Sequence, residues 1–214
     1  MNYTKTIREY CEKNKDSLFD VSYMAADYFS MVPYKTFLKI MNRLEEEGVV
    51  ITVSKGVYYI CGEEEFDLDK AIADYYIGQG DGMYYGYKLY NKLGVTDYKS
   101  KTTEIYTRRI GVAHKNIGNY SLTRANLYFS QDTKRIITAL ELIDNLDNIK
   151  DYDMLNYTMV RDKFIHHYLD HAIESVINNI HYKYSTIVIF DEALRKQGYD
   201  NKFLSNYKEM VLNK

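Results

Sequence analysis

Lys35, Lys39 and Arg43 recur at i, i+4 and i+8, so on a helix their cations share one side. Thr36 and Asn42 flank that row and Tyr34 opens it, adding hydroxyl and amide groups to a basic stripe. The chemistry open to such a set is nucleic-acid readout. Lys and Arg neutralise phosphates or pair with guanine, and Thr and Asn exchange hydrogen bonds with base edges. A little further on, Ser54-Lys55-Gly56 separates two apolar runs, which puts Lys55 at the tip of a hairpin with Ser54 beside it. The expected DNA-binding set is Tyr34, Lys35, Thr36, Lys39, Asn42, Arg43, Ser54 and Lys55. A charged outer face is also what a plain surface helix carries, and the stripe alone leaves the two readings level. The hairpin, standing where a wing would stand, favours DNA.

A second group is Arg161-Asp162-Lys163-Phe164-Ile165-His166-His167, with His171 after it. On a helix, His167 and His171 would be i, i+4 neighbours able to share a metal ion, but no suitably spaced Cys or Glu completes a site. Arg161 followed by His166 resembles the Arg-x4–6-His signature of the HEPN ribonucleases, in which Arg and His on one helix cut RNA at a dimer site. A pattern so short arises by chance, and a packing or interface role for these histidines is the favoured reading. Gly78, Gly80, Gly82 and Gly86 make no Walker loop, because no Gly-Lys-Ser/Thr follows. No serine elbow or supported Cys–His pair is present. The expectation is a non-enzyme with no catalytic residue, no metal and no cofactor.

The elements that must position the basic stripe are legible around it. Ile7, Tyr10 and Cys11 give a helix over residues 4–15, and Ser22 is the expected N-cap of a short helix from Tyr23 to Phe29. Pro33 lacks an amide hydrogen and opens the next helix, which runs to Glu47 and stops at Gly48. Phe37, Leu38, Ile40, Met41 and Leu44 give that helix an apolar side. Strands follow at Val49–Val53 and Val57–Ile60. Three helices and a two-stranded hairpin are the order of a winged helix-turn-helix.

Glu63-Glu64-Glu65 marks the expected boundary, giving a DNA-binding domain over residues 1–62 and a larger mixed domain over 63–214, α/β to about residue 130 and helical after it. In that domain Leu68–Ile77 and Gly86–Leu93 are expected helices. Met83–Tyr85, Thr103–Arg109, Val112–Lys115 and Leu122–Phe129 are expected strands, with Gly118-Asn119 as a turn. Asp132 is the expected cap of a helix over 133–147, followed by helices over 153–180, with a break in it left open, and 185–212. The fold class is α+β.

The totals suit this reading. The chain has 214 residues, 46% hydrophobic and 27% charged, enough for two small cores. A net charge of -2 excludes a uniformly basic coat, but not a local basic face. Cys11 and Cys61 lack metal-ligand spacing and are expected to be reduced core thiols of a cytoplasmic protein. No run approaches the roughly 20 apolar residues of a membrane helix.

The run "FDVSYMAADYFSMVPYKTFLKIMNRLEEEGVVITVSKGVYYI" resembles the N-terminal region of the AbiEi-type antitoxins of bacterial abortive-infection systems. That family has a recognition helix ending in Leu-x-x-x-Gly, then a strand and a Lys/Arg-Gly-x-Tyr hairpin, and Leu44, Gly48, Lys55, Gly56 and Tyr58 match it. "GYKLYNKLGV" is similar to the family's small-residue helix ending in Leu-Gly. The resemblance covers about the first two-thirds of the chain and is strongest over residues 18–60. It implies a two-domain antitoxin whose winged helix binds inverted repeats in its own promoter and represses it. The second domain would counter a nucleotidyltransferase-like toxin without a stable complex, the type IV arrangement. A winged-helix regulator with a partner- or ligand-binding C-terminal domain and a HEPN-like ribonuclease are the alternatives.

Overall fold

The computed structural model describes residues 2–212. In chain order the elements are α1 (Tyr3–Lys13), β1 (Leu18–Asp20), α2 (Val21–Asp27), α3 (Tyr34–Glu46), β2 (Val50–Ser54), β3 (Val57–Ile60), α4 (Leu68–Tyr76), β4 (Gly82–Tyr85) and α5 (Gly86–Lys92). There follow β5 (Thr103–Thr107), β6 (His114–Ile117), β7 (Tyr120–Arg124), α6 (Gln131–Asp144), α7 (Met154–Phe164), α8 (Asp170–Asn179), α9 (Tyr184–Lys196) and α10 (Lys202–Leu212). Ten α-helices and two small sheets make the described residues a mixed α+β chain. Backbone contacts divide it into two compact units, Met1–Gly82 with Ile105–Arg124 and Met83–Glu104 with Ala125–Lys214.

In the first unit, Asn2 caps α1 by accepting from the Lys5 amide at 3.2 Å. The cap of α2 is Asp20, not Ser22: its carboxylate accepts from the amides of Ser22 (2.9 Å) and Tyr23 (3.4 Å). The helix therefore starts at Val21 and ends at Asp27, leaving Phe29 beyond it to pack in the core. Pro33 stands just before α3 with φ -55° and ψ 131°. At the other end Gly48 takes φ +72°, its amide donates to Glu45 O, and that of Val49 donates to Leu44 O. These two bonds satisfy carbonyls that the helix end would otherwise leave open.

The hairpin turns at Lys55-Gly56, with Gly56 at φ +71° and a bulge between Thr52 and Ser54. Leu18-Phe19, on sequence only an apolar pair, belongs to a third strand, so the sheet order is β1-β3-β2 and β3 is central. All four residues of β3 are buried. Phe19, Phe29 and Phe37 meet in the core with ring centroids 5.5–6.3 Å apart, beside Ile7, Cys11, Met24, Met41 and Leu44. Burial pushes the Cys11 thiol up to about 11, which keeps it protonated.

Residues 105–124 belong to this unit, so the expected boundary near residue 62 lies inside it. The second sheet has the order β4-β5-β7-β6. Its hairpin pairs Ile117 with Tyr120 and His114 with Thr123 around Gly118-Asn119. A two-residue turn fixes strand register, so the four residues of β6 pair in turn with Tyr120–Thr123 of β7. That is why the strands are His114–Ile117 and Tyr120–Arg124 rather than Val112–Lys115 and Leu122–Phe129.

In the second unit, α6 is buried along Ile136–Leu142 and packs against α7, α8 and α9. Its cap is Ser130, whose Oγ accepts from the Thr133 amide at 3.2 Å, in place of Asp132. The expected helix over 153–180 breaks after Phe164. Ile165 takes extended geometry, and Ile165 and Tyr168 both turn into the interior. The helix expected over 185–212 breaks at Gly198, which has φ +83°, and restarts where Asn201 Oδ1 accepts from the Leu204 amide at 3.0 Å. Among the described residues no helix is long and apolar enough to cross a membrane.

Candidate nucleic-acid interface

α3 has two sides because its sequence has two periodic sets. Phe37, Ile40, Met41 and Leu44 are buried, and Lys35, Lys39, Asn42 and Arg43 are exposed. Leu38 is half-buried against the same core. None of Lys35, Lys39, Arg43 or Lys55 joins an ion pair among the described residues, so their charge is left for an outside partner. The acids gather at the other end, Glu45 in the last turn of α3 and Glu47 just beyond it. Glu45 accepts from the Thr52 amide at 3.0 Å, and Glu47 pairs with Arg8. The helix is therefore basic from Lys35 to Arg43 and acidic at its end.

Thr36, Lys39 and Arg43 share a groove of about 600 Å³ whose opposite wall is the start of α1, Asn2, Tyr3 and Thr4. The N-terminal pole of α1 adds partial positive charge there. Sequence reasoning passed over this wall, since nothing in residues 2–4 beyond a capping asparagine marks them. Tyr34 is 53% exposed at the head of α3, joined across the α2–α3 turn by exposed Tyr28 and Met31. Asn42 lies toward the sheet, where its Oδ1 accepts from the Tyr58 hydroxyl at 3.5 Å. Its amide donors remain available.

The hairpin tip is anchored. Gly56 O accepts from the Val21 amide at 3.0 Å, and Ser54 Oγ donates to Asn116 O at 3.5 Å. Ser54 is thus turned toward β6, while Lys55 is exposed at the turn. The eight expected residues fall into three places: Thr36, Lys39 and Arg43 in the groove, Tyr34 and Lys35 at the head of α3, and Asn42, Ser54 and Lys55 along the sheet side and tip.

A buried charge cluster beneath α2 was also missed. Asp20 is fully buried, and Lys115 Nζ reaches both of its carboxylate oxygens at 2.7 Å. The Tyr76 hydroxyl donates to Asp20 Oδ2 at 2.8 Å. Gly111 donates its amide to Ser22 Oγ at 3.1 Å, and a Cβ at Gly111 would overlap the Ser22 carbonyl. Arg109 lies over the rings of Tyr23 and Tyr75 while bonding Asp81, 2% exposed, at 2.7 Å. Lys115 lies 95 residues from Asp20 and Arg109 lies 28 from Asp81, so neither carries a local signal of its partner.

The second candidate group comes apart. Arg161 is on α7 and pairs with Asp162, whereas His166 and His167 lie beyond the end of that helix and pack on Tyr199. His171 is on α8, so His167 and His171 are not neighbours on one helix. Among the described residues no group of three or more His, Cys, Asp or Glu is placed to hold a metal. A comparison with protein-family models and with curated proteins finds no match.

Proposed function

We propose that residues 1–62 act as a winged helix-turn-helix, with α3 as the recognition helix and the β2–β3 hairpin as the wing, and that the chain is an autorepressing antitoxin. What carries the reading is the row Lys35, Lys39 and Arg43. These are three cations without counter-ions on the open side of a helix whose other side is core. The α1-β1-α2-α3-β2-β3 order and the exposed Lys55 support it. In this reading Lys35, Lys39, Arg43 and Lys55 contact phosphate or guanine, and Tyr34, Thr36, Asn42 and Ser54 complete the contact surface of inverted repeats in the chain's own promoter. The site of action is the cytoplasm. The rest of the chain counteracts a nucleotidyltransferase-like toxin without forming a stable complex with it, as the resemblance implies.

A gel shift with the promoter tests the DNA half. Lys35→Ala with Arg43→Ala is expected to weaken binding at least tenfold, since each lost charged contact costs about 1 kcal/mol or more. Unchanged affinity would sink the assignment of this face. Co-expression with a toxin encoded beside it tests the other half: growth is expected to be rescued. Failure to rescue would leave a winged-helix regulator whose C-terminal part binds a ligand or partner. Purified protein is expected to leave RNA intact, and cleavage without a partner would favour the ribonuclease reading.

A further inference from the structure

The second unit contains a groove of about 550 Å³ between α5 and the segment leading into β5. Lys88 and Lys92 stand at i, i+4 on α5, and Lys99 lines the same groove. Like charges so spaced on a helix repel, yet none of the three forms an ion pair among the described residues, and no carboxylate lines the groove. The strand alternation enforces this. Thr103 turns into the groove, while Glu104, the next residue of β5, packs against Gly86, where a Cβ would overlap its carboxylate.

The aromatic part of the wall is held in place. Tyr87 donates its hydroxyl to Asn148 O at 2.9 Å and accepts from the Lys150 amide at 3.3 Å. Its ring packs on Tyr98, centroids 4.8 Å apart, and Lys150 Nζ lies 5.0 Å from the Tyr98 ring. Lys88 Nζ is 5.8 Å from the ring of Tyr84, so one ammonium is set above the groove's second aromatic residue.

Three uncompensated ammonium groups around a concavity of small-molecule size call for a ligand with several negative charges. The fixed ring of Tyr87, with Tyr84 beneath Lys88, suits a flat heterocycle. We propose that this groove binds a nucleoside polyphosphate, with Lys88, Lys92 and Lys99 on the phosphates and Tyr84 and Tyr87 beside the base. This site is separate from the α3 face and does not depend on the DNA reading.

Isothermal titration calorimetry of the full chain with ATP, tripolyphosphate and adenosine at fixed ionic strength tests it. ATP is expected to bind more tightly than tripolyphosphate, and adenosine not measurably. Lys88→Gln with Lys99→Gln should weaken ATP at least tenfold with the circular dichroism spectrum unchanged. Should that pair fail to fold, Lys92→Gln alone gives a smaller loss at an exposed helix position. Lys163→Gln with Lys202→Gln removes equal charge elsewhere and should leave ATP binding as it was. Absence of ATP binding, equal loss in that control, or equal affinity for ATP and tripolyphosphate would overturn the proposal.

Discussion

A surface cation with no counter-ion within reach keeps its field for an outside anion, whereas a buried ion must have its partners built in. Lys39 and Arg43 are of the first kind and Asp20 of the second. Because Lys115 reaches both oxygens of Asp20, Lys115→Met would leave a buried carboxylate short of its cation. The expected loss of stability is about 3–5 kcal/mol by urea unfolding, and the double variant with Asp20→Asn should lose less than Lys115→Met alone. A double-variant loss equal to the sum of the two single losses would show that the pair is not coupled. Cys11 offers a second test. With its thiol pushed up to about 11, only roughly one molecule in a thousand carries thiolate at pH 8. An Ellman titration of native protein at that pH should leave Cys11 unmodified and reach it only on unfolding. Rapid modification of Cys11 in the native state would contradict its placement in the core.

At the scale of elements, the sequence announced those whose signals are local. Pro33 and Gly48 bracket α3 because one residue lacks an amide hydrogen and the other tolerates positive φ, and neither property depends on distant partners. Gly48→Ala meets no atom within 4 Å, so its cost is backbone strain alone. A loss of about 1 kcal/mol in thermal or urea unfolding is expected, and no loss would mean that the helix ends otherwise. Caps were harder to place, because Asp20 and Ser22, or Ser130 and Asp132, are all good capping types two residues apart. Tertiary bonds to Lys115 and Tyr76 hold Asp20 in place, while Ser130 is marked only by its own bond to the Thr133 amide. The break after Phe164 has neither Pro nor Gly to announce it; it arises because Ile165 and Tyr168 are both drawn into the interior. Gly198 is a local stop signal that the expected helix over 185–212 runs through.

For the whole molecule, composition and periodicity conveyed the α+β class and the two-sided α3, but not the return of residues 105–124 to the first unit. That return is made by Lys115, Gly111 and Arg109, whose partners are set by three-dimensional contact alone. One consequence is measurable: a fragment ending at residue 62 lacks both Lys115 and Tyr76 and exposes Asp20 unpaired. It should unfold at a lower urea concentration than a chain extended through residue 124, and equal midpoints would show that the N-terminal segment stands alone. The groove walled by the start of α1 was illegible for the same reason, although the row it completes was plain. The central claim is that this row holds DNA by its phosphates. Fluorescence anisotropy with labelled promoter DNA, from about 50 to 200 mM salt, measures it directly. For Lys39→Ala with Arg43→Ala, binding should weaken at least tenfold and the log–log salt slope should flatten by about 1.8, two phosphate contacts' worth. An affinity and slope equal to those of the unaltered chain would contradict the account.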